Sequence, residues 1–338
     1  MNEQQWIPTL EEVAALAGVS SSTASRVING SPRVTEQTIA RVNAAIAKVG
    51  YVPNRAARSL ARRRTHTVAM VIPERTAEFF ADPYFAEVIQ GAAMHASSTE
   101  YSLTLLIESD KDPEKTHQFL RRGNVDGALV LSHYSASTPY RELARTLPIV
   151  FGVRPPGEMG DEIHVVDVDN VSAAALATQH LIDRGHRRIA TISGPLDTSA
   201  GRERMQGWST MLEAAGLAAG VHEEGDYTPA GGATAARRLL AIDAEIDAIF
   251  IASAQMASGA MAVLNEHGIR VPQDVAIATV DNNVFSTSTA PRLTTVDLHP
   301  GQKGAAMMAT IVRLIKGEQI GVETLVPMDL IERESTAG

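Results

Sequence analysis

Thr9-Leu10-Glu11-Glu12-Val13-Ala14-Ala15-Leu16-Ala17-Gly18-Val19-Ser20-Ser21-Ser22-Thr23-Ala24-Ser25-Arg26-Val27-Ile28-Asn29-Gly30 decides how this chain is read. Thr9 and Glu12 have the spacing of a capping box, in which the hydroxyl and the carboxylate each satisfy a free backbone N–H at a helix start. Leu10, Val13, Ala14 and Ala17 then follow helical spacing, and Gly18 supplies the left-handed residue that stops a helix. Val19 plugs the turn. Ser20 caps a second helix to about Asn29, where Asn29-Gly30-Ser31-Pro32 is a turn cluster. Thr35 caps a third helix with the stripe Ile39, Val42, Ala45, Ile46 and Val49, closed by Gly50. Two short helices joined by a tight turn and braced by a third form a helix-turn-helix, whose second helix enters the DNA major groove.

Groove geometry assigns roles. Ser21, Ser22 and Arg26 face base edges, and Arg26 is suited to the two-pronged contact with guanine. Thr9, Ser20, Thr23, Ser25, Asn29 and Arg33 suit phosphates, which position without specifying. Charge agrees. The 338-residue chain carries a formal net charge of -9, but its first 65 residues hold nine Lys and Arg against four acids, leaving the rest at -14. A basic head on an acidic body meets a polyanion with the head alone. With no Cys there is no disulfide scaffold and no thiolate metal site. No apolar run approaches a membrane span and no signal peptide is evident, so the expected location is the cytoplasm, at the nucleoid, with no membrane partner. Nucleotide-binding glycine loops, a Gly-x-Ser-x-Gly elbow and His-Glu-x-x-His are all missing, so no enzyme, cofactor or metal is expected and no catalytic residue is assigned.

From Thr67 the pattern alternates. Short β-branched runs at 67–72, 102–107, 127–131 and 149–151 suit buried parallel strands, with helical stretches at about 84–98, 113–122 and 139–146 between them. A second series begins near Asn170: a helix to Arg184, a strand at 188–193, a helix at 203–215, a strand at 248–251, a helix at 256–267 and a strand at 275–280. From this pattern alone, the strand at 293–296, the helix at about 301–316 and the strand at 325–331 add to the second series. The expected fold is an all-α head followed by two doubly wound parallel-sheet lobes.

The head quoted above, continued by Tyr51-Val52-Pro53-Asn54 and Ala57-Arg58-Ser59-Leu60, resembles the LacI/GalR (lactose-repressor) family of bacterial transcription regulators, and the resemblance extends over the body. It implies a periplasmic-binding-protein-like core whose chain crosses between lobes near Val168, Asp297 and Met328. The domains would be 1–52 for the DNA-binding head, 53–65 for hinge helix and linker, and 66–338 for the effector-binding and dimerisation core. Lobe one would be about 66–167 and 298–327, lobe two about 168–297 and 328–338. Asn54 would cap the hinge helix, Arg58 would face phosphate, and Leu60 would be the apolar wedge that kinks the minor groove. Fewer than eight residues are too few to be helical alone, so two copies would have to pair.

Ligands of such sheets bind beyond the strand ends. The resemblance places an effector on Arg204 and Asp281. Phe79, Asp82, Tyr84 and Phe85 follow the first strand and pair a polar group with aromatic rings. Trp208, Tyr227 and Ser253 complete the candidate set. Ala252-Ser253-Ala254 stands where many members have Ala-Asn-Asp, and Asn282 where a second aspartate is common. These departures remove polar contacts for an ordinary monosaccharide. The expected protein is a dimeric repressor of a carbohydrate-utilisation operon. It would bind a palindromic double-stranded operator and respond to a sugar-like effector. The alternative is a nucleoside-, purine- or phosphometabolite-responsive regulator of the same fold.

Overall fold

The computed structural model describes residues 8–28, 30–31, 33–51, 64–72, 82–108, 112–131, 138–155, 160, 162–218, 220–242 and 245–337. They fall into two units, Met1–His66 and Thr67–Gly338.

The first unit holds α1 (Leu10–Ala17), α2 (Ser21–Ile28) and α3 (Glu36–Val49). The Thr9 hydroxyl accepts from the Glu12 N–H at 3.3 Å, and the Glu12 carboxylate accepts from the Thr9 N–H at 2.8 Å. Gly18 closes α1 at φ +62°, and a Cβ there would press on the Arg41 guanidinium. That guanidinium donates to the Ala17 and Gly18 carbonyls. A cation thus complements the negative end of α1, so one charge of the basic head supports the fold. Val13, Ala14, Ala17, Ala24, Val42 and Ala45 form the small core.

The second unit contains two six-stranded sheets. The first has β1 (Thr67–Ile72), β2 (Ser102–Ile107), β3 (Gly127–Val130), β4 (Ile149–Phe151), β5 (His164–Val168) and β11 (Glu323–Val326), in the order β11-β5-β4-β3-β1-β2 and parallel throughout. The second has β6 (Ile189–Ser193), β7 (His222–Glu224), β8 (Ala248–Ile251), β9 (Ala276–Val280), β10 (Thr294–Asp297) and β12 (Asp329–Ile331), in the order β12-β10-β9-β8-β6-β7. Among the described residues, only β12 in that sheet is antiparallel. Among the helices, α4 (Pro83–Ser97), α5 (Pro113–Arg121) and α6 (Thr138–Leu143) connect first-sheet strands, α7 (Asn170–Asp183) leads from β5 of the first sheet to β6 of the second, and α8 (Ser199–Ala214), α9 (Pro229–Ile242), α10 (Ala254–Glu266) and α11 (Val284–Thr287) lie between second-sheet strands. No helix among the described residues is long and apolar enough to cross a membrane.

The end of the chain departs from the strand-helix pattern. α12 (Pro300–Ile315) packs on α4, β3, β4 and β5 of the first sheet, whereas periodicity alone attached it to the second. The run at 325–331 is two strands, β11 in one sheet and β12 in the other, because Pro327 lacks the N–H that a continuous ladder needs. The chain therefore passes between sheets after β5, after β10 and after β11.

Two glycines allow α12 to sit directly on α4. A Cβ on Gly304 would collide with the Val88 carbonyl, and one on Gly91 with the Gly301 carbonyl. Gly304→Ala is expected to lower stability by about 1–3 kcal/mol through overpacking, read as a shift in urea midpoint. An unchanged midpoint would mean that the helices can separate at no cost.

Candidate functional site

In the head, α2 exposes Ser21, Ser22 and Arg26, leaves Ser25 half-buried and buries Ala24. At 3.6 residues per turn the first four occupy one arc of about 140°, so they form a single polar face opposite the core. The Ser20 hydroxyl meets the Ser22 and Thr23 hydroxyls at 2.9 Å and accepts from the Thr23 N–H at 3.2 Å, which fixes the start of that face. Thr9, Ser20 and Arg33 are exposed, and Thr23 is half-buried. Asn29, Asn54, Arg58 and Leu60 lie outside the described residues.

In the second unit a cleft of about 470 Å³, open to solvent, is lined by Asp82, Tyr84, Val153, Asp167, Val168, Asn170, Ala200, Arg204, Tyr227, Ser253, Asp281 and Lys303. Its walls come from both sheets. Asp82 caps α4, its Oδ1 accepting from the Tyr84 N–H at 2.9 Å. Burial, then the Asp281 carboxylate, push the Asp82 carboxyl up to about 7. Asp281 follows β9 with its backbone at φ +78°, a conformation that costs a non-glycine residue about 1–3 kcal/mol and recurs at functional sites. Its N–H bonds the Val296 carbonyl at 3.0 Å, and its carboxylate accepts from the Ala254 N–H. Burial raises the Asp281 carboxyl above the usual carboxylate range, while Arg204 opposes that shift.

Arg204 is buried on α8. Its Nε donates to Asn170 Oδ1 at 3.0 Å and its Nη1 to the Ala252 carbonyl at 2.6 Å. Ser253 caps α10, its oxygen accepting from the Met256 N–H at 3.2 Å, which leaves the hydroxyl proton to donate elsewhere. Tyr227 follows β7 at φ +63°. Six of the residues expected from sequence therefore meet here: Asp82, Tyr84, Arg204, Tyr227, Ser253 and Asp281.

Two others lie apart. Phe85 and Trp208 are each 3% exposed within the hydrophobic core. Neighbouring helical residues diverge by about 100°, so Tyr84 takes the cleft and Phe85 the interior, their rings edge-to-face at 5.6 Å. Trp208 packs with Ile189 and Leu212. Phe79 lies outside the described residues. Asn282 is absent from the cleft wall: its amide donates to Asp297 at 2.9 Å and accepts from Arg333 at 2.5 Å.

Sequence reasoning missed Asp167, Asn170 and Lys303. Each left a signal. Asp167 interrupts an apolar strand at its carboxyl end. Asn170 opens a helix directly after it. Lys303 shares the buried stripe of Met307 and Ile311 at four-residue spacing, where a solvated lysine does not belong.

Residues 9–54 match the family described as bacterial regulatory proteins, lacI family, and residues 178–336 match the periplasmic binding protein-like domain. The chain is 40% identical to the HTH-type transcriptional regulator CelR of Thermobifida fusca, over 98% of this chain and 99% of that one. It is 33% identical to the ribose operon repressor of Escherichia coli (strain K12), covering 91% and 93%. A structure described as the transcriptional regulator CelR-cellobiose complex superposes with a TM-score of 0.76 at 39% identity, covering 97% and 99%. The protein is thus a DNA-binding transcription regulator. It belongs to the lacI family of bacterial regulatory proteins.

The Asp82 shift gives a signed prediction. A carboxyl raised from 3.8 to about 7 favours its protonated form in the folded chain. Its contribution to stability is therefore lost as pH rises from about 4 through 7. Asp82→Asn keeps an N-cap and removes the charge. The variant is expected to melt higher than the parent by a margin that grows from pH 5 to pH 8. Parallel melting curves across that range would refute the shift.

Proposed function

We propose that the protein is a dimeric repressor that binds a palindromic operator through two heads and is switched by a sugar-like molecule in the cleft. The observation that carries the ligand half is the convergence of Asp82, Arg204, Ser253 and Asp281 from two sheets on one solvent-open cleft. Carboxylates accept two hydroxyls at once, and a guanidinium donates from a fixed fork. That chemistry suits a polyol, and the CelR–cellobiose complex at 39% identity supports a saccharide. Tyr84 and Tyr227 offer apolar faces to a pyranose ring. No catalytic step is assigned to these residues.

For the DNA half, α2 supports the reading: Ser21, Ser22 and Arg26 project from one polar face. The operator would be read by Arg26 and gripped by Thr9, Ser20, Thr23, Ser25 and Arg33 at phosphates. A two-fold operator calls for a two-fold protein, so the economical assembly is a homodimer. Effector binding would favour one arrangement of the lobes and so one spacing of the heads. Coupling of about 1–3 kcal/mol is typical, enough to form or melt a short segment.

Arg26→Ala is expected to lose about 1–3 kcal/mol of discrimination between operator and mismatched duplex in fluorescence anisotropy, with the salt slope of non-specific binding nearly unchanged. Arg204→Ala should retain operator binding but lose the response to ligand. Loss of both activities in Arg204→Ala would indicate a folding role instead. A thermal-shift screen of saccharides, sugar phosphates and nucleosides distinguishes the sugar reading from its purine and phosphometabolite rivals.

A further inference from the structure

Lys303 belongs to none of the functions assigned above. It is 1% exposed, yet its ammonium reaches the cleft wall. Nζ donates to Asp167 Oδ1 and to the Tyr84 hydroxyl, both at 2.8 Å. Asp167 Oδ1 also accepts from the Val168 N–H at 2.8 Å. Three elements of one lobe meet in this cluster: α12 brings Lys303, β5 brings Asp167 and α4 brings Tyr84. Burial alone would lower the ammonium pKa, and the Asp167 carboxylate together with Tyr84 reverses that and holds it above its ordinary value. Lys303 is therefore a permanent cation whose charge is matched from within the protein.

The remaining charges sharpen the point. Among the described residues the cleft wall carries three carboxylates, Asp82, Asp167 and Asp281, and two cations, Lys303 and Arg204. Lys303 is paired with Asp167. Arg204 already spends Nε and Nη1 on Asn170 and the Ala252 carbonyl. With the Asp82 carboxyl raised to about 7, the wall carries no surplus of positive charge near neutrality: a phosphate or carboxylate entering here would find Lys303 matched by Asp167 and Arg204 opposed by Asp281, with only the remaining N–H groups of Arg204 to receive it. A neutral hydroxyl-rich ligand meets groups already held in place by Lys303, which lowers the ordering cost of binding.

We propose that Lys303 is a specificity-determining positioning residue: it fixes the Asp167 carboxylate and the Tyr84 phenol in the first-lobe wall for a neutral, hydroxyl-bearing ligand, and the wall it completes discriminates against anionic ones. This rests on the small-molecule reading of the cleft, and extends it from shape to charge.

The test uses the full chain and matched probe pairs: cellobiose and its phosphate, ribose and ribose 5-phosphate, adenosine and adenosine monophosphate. Calorimetry compares the parent, Tyr84→Phe, Lys303→Met, the double variant Lys303→Met/Tyr84→Phe, and the charge-balanced Lys303→Met/Asp167→Asn. In the parent, the neutral member of a pair should bind about tenfold or more tighter than its phosphate. Lys303→Met should lose about tenfold or more in that affinity, with far less further loss in the Tyr84→Phe background, because the two act as one unit. If Lys303→Met alone fails to fold, the charge-balanced variant is read for the same loss and for a narrowed neutral-to-phosphate ratio, which a purely structural role would leave unmoved. Adenosine binding in preference to its phosphate, with no saccharide bound, would end the sugar reading and leave the Lys303 assignment standing. Parent protein that binds a phosphate as tightly as its neutral partner, or binds no neutral probe, overturns the assignment. So does a folded charge-balanced variant with parental affinity and ratio.

Discussion

Parallel strand pairing sets most of what this molecule can do. A parallel sheet brings the carboxyl ends of its strands to one edge, so the residues that follow each strand gather there whatever their distance in sequence. Val153 follows β4, Asp167 and Val168 end β5, Tyr227 follows β7, Ser253 follows β8 and Asp281 follows β9. The remaining lining residues sit at or near the starts of α4, α7, α8 and α12. Two sheets that present these edges to a common space make a cleft without any loop having to be long.

The passages between sheets share residues with the cleft. Val168 and Asn170 flank the first passage and line the cleft, and Lys303 lies in the opening turn of the helix that follows the second. A ligand touching them touches the segments that any change in lobe angle must bend. The buried network adds rigidity on one side: charge-assisted bonds join Lys303 to Asp167 and to Tyr84 in a low-dielectric setting, where such bonds are strong and their loss expensive. On the other side Arg204 ties α8 to the first residue of α7 and to the end of β8. Each wall is thus internally braced, and a ligand is left to bridge two firm surfaces.

Much of the fold was legible because its signals are local. Caps at Thr9, Ser20 and Thr35, stops at Gly18 and Gly50, and β-branched runs at 67–72 and 248–251 each lie within a few residues of what they specify. The unread elements lacked such signals. β5 is broken in pattern by Asp167. β7 is the polar edge strand His222-Glu223-Glu224. α9 begins Pro229-Ala230-Gly231-Gly232, which reads as a loop. In the cleft, Arg204 and Asp281 were reached through family resemblance, whereas Phe85 and Trp208 were drawn in by residue type and lie in the core.

By itself, the amino-acid order determined a capped three-helix head with a polar second helix, and an alternation of strand and helix that admits parallel sheets and little else. Periodicity alone did not attach α12 to the first sheet or divide 323–331 between the two, which only the family resemblance implied, and the tertiary structure alone decided that Lys303 satisfies Asp167 and Tyr84. The reason is range. Caps and periodicities act over three to seven residues, whereas the Lys303–Tyr84 bond joins positions 219 apart. Such a bond exists only because helix packing close enough to require Gly91 and Gly304 brings its two ends together.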